Sequence, residues 1–366
     1  MARQSLQIEL AERPVGDIVP GKTFRQRTLP APTPSDLQDG QLLLEGLYLS
    51  LDPAMRAWLD DRRSYVPPVQ IGEVMRGNTI CRVLASKSSK AKAGDTVVAM
   101  LGWREVGVLP ESMVEPPFPL PQNGRITDLM GVLGLTGLTA YFGLVKIGEP
   151  KPGETVVVSG AAGATGSVAA QIAKIMGARV VGTAGSDEKC KWLREELGLD
   201  VALNYKDPEF RQKFKEATPK YIDVYWDNVG GEQLDMALGR ANKFARFVMC
   251  GGISQYNAET KQGPKVCTTI KEGGRVLTGM CGQNFFSVIS QRIKMQGFIV
   301  FDYADEYPAA RKQLAQWLSE GKIKRRETVV KGGLKNAEEA LVQLYKGSNI
   351  GKMLVEVKSP EEASKL

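Results

Sequence analysis

Two rhythms of hydrophobic positions divide the chain. Residues 1 to about 125 carry short apolar runs, among them LQIEL (6–10), GQLLLEGLYLSL (40–51), GNTICRVLAS (77–86) and DTVVAML (95–101), with prolines between them. That pattern predicts an irregular β-rich domain. From Gly131 the apolar spacing becomes helical in GVLGLTGLTAYFGLVKIG (131–148). Strand and helix signals then alternate. ETVVVSG (154–160) reads as a buried strand, and Gly166 to Gly177 as a helix with Val168, Ile172, Ile175 and Met176 on one face and a closing glycine. ARVVGTA (178–184) is a second strand, Ser186 caps the helix DEKCKWLREELG, and VALNY (201–205) is a third strand. YIDVYWDNVG (221–230), ARFVMCGG (245–252) and KMQGFIVFDY (294–303) supply further strands, with helices over 231–240 and 308–320.

Such alternation predicts an α/β fold with a parallel, doubly wound sheet. After Lys322 the chain offers only the strand ETVVKG, the helix NAEEALVQLYKG and the strand KMLVEV. These are too few to fold alone, so they are expected to return to the β-rich domain. The expected division is 1–125 for the β-rich domain, 126–322 for the α/β domain, 323–358 for the return segment and 359–366 for a tail.

Composition narrows the chemistry mainly by what is missing. The chain has 366 residues and no histidine, which excludes Ser-His-Asp and Cys-His catalysis and the histidine-containing zinc sites. No metal site is expected. The five cysteines (81, 190, 250, 267, 281) form no CxxC pair, as in reduced cytoplasmic proteins. No apolar run is long enough to span a bilayer, and the charged N-terminus is unlike a secretion signal, so neither membrane nor export is expected. Lysine and arginine outnumber acids by a net +7 but are dispersed, so no nucleic-acid partner is expected.

The candidate chemistry starts at SGAAGATGS (159–167). Gly160, Gly163 and Gly166 form GxxGxxG between a strand and a helix, where glycines allow a tight turn and close backbone approach to a diphosphate. A glycine-rich connector is the alternative, and the flanking strand–helix–strand pattern favours nucleotide binding. A NAD site usually places an acid at the tip of the second strand, but here the tip reads Gly182-Thr183-Ala184-Gly185-Ser186, followed by Lys189. That favours NADP(H); the alternative is a merely solvated lysine.

No tyrosine has a lysine four residues on, as the short-chain reductases require. The ordered set SLDPAMRAWL (50–59), GEVMRG (72–77), GLTGLTAYFGL (134–144), SGAAGATGS, GSDEK (185–189), NYK (204–206), DNVGG (227–231), CGGISQYN (250–257) and GSNIGK (347–352) resembles the zinc-independent medium-chain dehydrogenase/reductase family. Within it the chain is most similar to the NADP-dependent alkenal and enone reductases, including the prostaglandin, leukotriene and curcumin reductases.

The resemblance implies a Rossmann domain plus a GroES-like domain. It implies that Gly163, Ala164, Thr165 and Gly166 hold the diphosphate and that Lys189 and Tyr205 hold the 2′-phosphate. Asn228, the run Cys250, Gly251, Gly252, Ile253, Ser254 and Tyr256, the stretch Phe298, Ile299 and Val300, and Asn349 from the other domain would line the rest of the cofactor. Tyr256 is the expected catalytic hydroxyl, and a loop tyrosine packed on the ribose is its alternative. Tyr65 is a candidate for the substrate wall, or equally for the core. The expected partners are a small α,β-unsaturated carbonyl substrate and a second copy in a cytoplasmic homodimer. The expected reaction is NADPH-dependent reduction of the activated C=C bond; quinone reduction and non-catalytic NADPH binding are the alternatives. Two positions depart from the family pattern: Thr165 stands where valine is usual, and Ala54 where some relatives carry tyrosine.

Between QGPK (262–265) and NFFSVISQRIKMQGF (284–298) lie eighteen further residues, 266–283, expected as an inserted surface loop. Val266-Cys267 can be encoded by GTATGC or GTATGT, Leu277-Thr278 can contain CTAAC or CTGAC, and Gln283 can be CAG. These match the start, branch point and end of a short fungal intron, so the segment is either an in-frame retained intron or a substrate-gating loop. Sequencing mature transcripts across the junction is expected to show messages lacking these codons under the first reading; uniform retention sinks it.

Overall fold

The computed structural model describes residues 3–258, 269–272, 275–278 and 283–360. The chain divides into two compact units, residues 1–134 with 326–366, and residues 135–325.

In the first unit, β1 (Gln4–Leu10) pairs antiparallel with β2 (Phe24–Pro30). β3 (Gln41–Ser50) is the organising strand, flanked on one side by β4 (Thr79–Ser86), which carries β5 (Thr96–Ala99). Its other side is shared, with β6 (Val106–Pro110) along residues 41–45 and the C-terminal strand along residues 48–50. Nearly all of β3 is buried, which explains its almost continuous apolar run where a half-exposed strand would alternate.

The second unit opens with α1 (Leu135–Phe142), which continues as a wider π-type turn over Gly143–Gly148. β7 (Thr155–Val158), α2 (Ala164–Ile175), β8 (Arg179–Ala184), α3 (Asp187–Glu195), β9 (Val201–Asn204), α4 (Phe210–Ala217), β10 (Ile222–Asp227), α5 (Gly231–Leu238), β11 (Ala241–Met249) and α6 (Ile253–Tyr256) follow. In the 266–283 segment, β12 (Thr269–Glu272) and β13 (Arg275–Thr278) pair antiparallel, and the segment's other residues up to 282 lie outside the described ones. Next come α7 (Ser287–Ser290), β14 (Lys294–Gly297) and α8 (Tyr307–Ser319). The sheet order is β14-β11-β10-β7-β8-β9 and every pairing is parallel, as the alternating pattern predicts. The chain then returns to the first unit through β15 (Glu327–Val330), α9 (Ala337–Tyr345) and β16 (Lys352–Glu356), and β16 pairs with β3. Among the described residues no helix is long and apolar enough to cross a membrane.

Several elements differ from the sequence expectation. The helix expected from Gly131 begins at Leu135. The strand expected over 294–303 stops at Gly297, because the following aromatics pack on α1 and the neighbouring strand: Tyr303 stacks on Phe142 at 4.8 Å between ring centroids, and Phe298 meets Trp226 edge-on at 6.1 Å. Strand β2 carries no apolar alternation since it buries only Phe24. The i, i+4, i+7 spacing of Phe210, Phe214 and Ala217 marks α4, a helix absent from the sequence reading.

The sheet and α1 approach closely at Gly143. A Cβ there would lie 2.6 Å from Trp226 Cη2 and 2.7 Å from Phe298 Cζ. An alanine in a helical turn is ordinarily worth up to about 1 kcal/mol over glycine, but overpacking costs about 1–3 kcal/mol and wins here. Gly143→Ala is therefore expected to lower the melting temperature by several degrees in calorimetry; a rise would show that Trp226 and Phe298 yield freely.

Candidate functional site

The site grows from the carboxyl ends of adjacent parallel strands, where a doubly wound sheet leaves room for a ligand. After β7, Ser159 and Gly160 turn the chain, and Gly160 takes a left-handed φ of 59° that favours glycine. Gly163 is the N-cap of α2. A Cβ on Gly166 would fall 3.0 Å from Ala161 Cα and still closer to the Gly160 carbonyl oxygen, so the first turn of α2 can pack on the loop only without a side chain there. The amides of Ala164, Thr165 and Gly166 are first-turn donors without intrahelical partners, a set suited to a diphosphate. The loop itself is fixed from behind by β8: Ala161 N donates to the Thr183 carbonyl at 2.8 Å and Gly160 N to Thr183 Oγ1 at 3.3 Å.

The tip of β8 is cationic. Lys189 is half-buried in the first turn of α3, whose cap Ser186 Oγ accepts its amide at 3.3 Å. Burial and the neighbouring Lys206 ammonium hold the Lys189 pKa below the usual lysine range, against an opposing pull from Glu188. Tyr205, exposed, bonds its amide to the Ala184 carbonyl at 3.0 Å, and its hydroxyl lies 2.9 Å from where a Cβ on Gly185 would stand. Gly185 thus leaves the space that the tyrosine ring crosses. Asp187 accepts from Asn204 Nδ2 at 3.0 Å. Lys189, Tyr205 and Lys206 form a cationic, hydroxyl-bearing tip that fits a phosphate monoester.

At the ends of β10 and β11, Asn228 is clamped on three sides. Its amide donates to Ser159 Oγ at 2.9 Å, its Nδ2 to the Ser159 carbonyl at 2.7 Å, and its Oδ1 accepts from Trp226 Nε1 at 3.0 Å. Cys250 follows β11, and burial pushes its thiol up to about 12, so it is neutral. Ile253 N and Ser254 N donate to the carbonyls of Asn228 and Val229 at 3.0 and 3.2 Å, which ties α6 to the DNVGG turn. Tyr256 folds back over that turn, its hydroxyl oxygen accepting from Gly252 N at 3.2 Å. Phe298 packs edge-on against Trp226 beside Asn228, with Ile299 and Val300 after it.

The remaining candidates lie in the first unit. Tyr65 is 45% exposed and is therefore not a core residue. Its hydroxyl accepts from Trp58 Nε1 at 2.9 Å, and the Arg76 guanidinium lies over the Trp58 ring at 5.7 Å. Burial raises its pKa above the ordinary phenol value. Asn349 is buried, with Nδ2 donating to the Gly351 carbonyl at 2.7 Å. The next residue but two, Lys352, donates to the Leu51 carbonyl and to Asp52 at 2.7 and 2.9 Å, linking this turn to the SLDPAMR segment.

Sequence reasoning missed Lys206, although it adjoins Tyr205 in NYK, and missed Trp58 and Arg76 beside Tyr65. It also missed Thr183, which has no signature apart from the fold.

The N-terminal part, residues 6–116, matches the family model described as the N-terminal domain of oxidoreductase, and residues 164–316 match that described as zinc-binding dehydrogenase. The second name covers a wider group; this chain lacks the histidines of the usual zinc set. The chain is 43% identical to a putative NADP-dependent oxidoreductase of Bacillus subtilis over 98% of this chain and 100% of that protein. It is 40% identical to the NADPH-dependent curcumin reductase of Escherichia coli, covering 95% of each. The crystal structure of CurA in complex with NADPH from Vibrio vulnificus superposes with a TM-score of 0.84 at 39% identity, over 97% of this chain and 100% of that one. With near-complete coverage at this identity, the chain belongs to the zinc-independent medium-chain dehydrogenase/reductase family, in its group of NADP-dependent alkenal and enone reductases.

Proposed function

We propose that the protein reduces the activated C=C bond of α,β-unsaturated aldehydes or ketones with NADPH. The observation that carries this reading is the pairing of a cationic tip, Lys189 with Tyr205 and Lys206, with a tyrosine hydroxyl at the opposite end of the same row of strand ends. Similarity to the curcumin reductase and the NADPH complex of CurA supports it. The glycine loop and the first-turn amides of α2 bind the diphosphate, and the cationic tip binds the 2′-phosphate. In this reading Asn228, Cys250–Ser254 and Phe298–Val300 line the second unit's part of the cofactor site, and the family resemblance assigns Asn349 a cofactor contact and Tyr65 a place in the substrate wall.

NADPH, when bound, supplies the hydride for the β-carbon of the alkene. Reduction leaves an enolate, whose oxygen needs a donor and whose α-carbon needs a proton. Tyr256 is the residue for that task. Its hydroxyl oxygen accepts from the Gly252 amide, and a phenol hydroxyl is chemically able to donate as well as accept. The Cys250 thiol stays neutral and takes no nucleophilic part. A homodimer in the cytoplasm is the assembly and location we attach to this reading, on the family resemblance.

NADPH oxidation, with NADH in parallel, against small enals, larger enones and quinones tests the assignment: an alkene should be turned over with NADPH preferred, and NADPH binding without turnover of any member would refute it. Tyr256→Phe is expected to lower kcat by about 100-fold or more with NADPH affinity nearly unchanged, and unaltered turnover removes Tyr256 from the mechanism.

Lys189→Met should weaken NADPH by about tenfold or more while leaving NADH almost unaffected. Because the Lys189 pKa is depressed, its charge is lost at lower pH than for an ordinary lysine. NADPH affinity should therefore fall as pH rises into the alkaline range, and Lys189→Arg should move that fall upward, since guanidinium stays charged. A pH-independent affinity, read by nicotinamide fluorescence, would contradict this.

A further inference from the structure

Asp227 closes β10 and is wholly buried, an unusual place for a carboxyl group that has no cation among its partners in the described residues. Its hydrogen bonds are sharply unequal. Four donors converge on Oδ1: Ser159 Oγ at 2.9 Å, Val229 N at 3.0 Å, Gly230 N at 2.9 Å and Tyr225 Oη at 3.3 Å. Oδ2 receives none. The backbone carbonyl of the same residue accepts from Cys250 N and Gly251 N, both at 2.9 Å. One residue thus joins three strand ends, those of β7, β10 and β11, and each of these bears a segment assigned above to the cofactor cleft.

The link to Asn228 is direct. Ser159 donates to Asp227 Oδ1, and that donation orients its oxygen to accept from Asn228 N at 2.9 Å. Without the carboxyl oxygen, Ser159 turns to its other acceptor, the Trp226 carbonyl at 3.3 Å, and the amides of Val229 and Gly230 lose their partner. Gly230 has a left-handed φ of 71°, and a turn of that kind holds only when its amides are satisfied.

We propose that Asp227 is a positioning residue for the cofactor cleft, acting through a single acceptor oxygen that ties the glycine loop to the DNVGG and CGG turns, and not through negative charge. The unequal pattern carries this: a site built to use a carboxylate's charge would satisfy both oxygens or pair them with a cation, and this one does neither. Burial raises the Asp227 pKa, against the opposing donors from Gly230, Val229, Ser159 and Tyr225, which agrees with a group whose charge is a cost. A negative charge under a cleft that receives a diphosphate would also repel it.

The proposal rests on the NADPH reading of the loop, and direct NADPH titration by fluorescence tests the two separately. Asp227→Asn keeps one carbonyl oxygen for the four donors and should hold the NADPH Kd within about threefold of the unaltered protein, whereas Asp227→Ala should raise it about tenfold or more with the enone KM little changed. If Asp227→Ala does not fold, Ser159→Ala, which removes the acceptor of the Asn228 amide while leaving Asp227 three donors, should raise the NADPH Kd by several-fold, again with little change in enone KM. The proposal is overturned if Asp227→Asn loses affinity as severely as Asp227→Ala, if a folded Asp227→Ala or Ser159→Ala binds NADPH normally, or if the enone KM rises together with the NADPH Kd. A protein that binds NADPH but turns over no enone overturns the reductase reading alone, and the Kd values of the variants still decide the role of Asp227. A protein that binds no NADPH overturns both.

Discussion

The approach of helix α2 to the end of β7 is the constraint on which the nucleotide unit depends. The helix can start where it does only because Gly166 offers no Cβ to the Gly160 carbonyl, and only that start places three free amides at the strand end. Val156, Val157 and Val158 of β7 are completely buried, so the strand that supports the loop is held by its apolar neighbours on both faces. Ala169, Ala170, Ile172 and Ala173 bury the underside of the helix, and small residues let it lie close to the sheet.

Under the loop the core changes character. Ser159, Thr183, Asp227 and Gln233 are buried polar residues bonded to one another or to loop amides, with Thr183 Oγ1 donating to Gln233 Oε1 at 2.6 Å. Apolar packing is non-directional and tolerates small shifts, whereas hydrogen bonds fix angle as well as distance. A network of this kind lets loops without regular structure keep one conformation. It also explains the order of elements: α5 supplies Gln233, β8 supplies Thr183, and β10 supplies Asp227, so the loop after β7 is held by three parts of the chain distant in sequence.

The first unit uses buried charge differently. Glu45 on β3 is paired with Arg3 and Lys358, and Glu9 on β1 with Arg25 and Arg27. These pairs tie the chain's early strands to one another and to the segment after β16. The Lys352 ammonium reaches the Leu51 carbonyl and Asp52, which fixes the start of SLDPAMR against the returning strand. One end of the first unit's candidate surface is thus set by a residue about 300 positions later in the chain.

Periodicity, glycine spacing and the absence of histidine were enough to determine the parallel doubly wound sheet, the tight glycine turn after its first strand and the exclusion of imidazole chemistry, because each depends on local spacing or on residue type alone. The closing glycines Gly177 and Gly198 are left-handed, as their positions after amphipathic helices predict. Short or exposed elements escaped that reading: β2 buries one residue, and the aromatics after Gly297 read as strand because β-propensity cannot register a stacking partner on α1. Lys206 beside Lys189, the orientation of Asn349 toward its own turn, and the convergence of donors on one oxygen of Asp227 were decided only by tertiary structure. The physical reason is that a hydrogen bond or a charge pair depends on distance in space, and for residues such as Ser159 and Asp227 that distance is set by the pairing of strands that lie far apart along the chain.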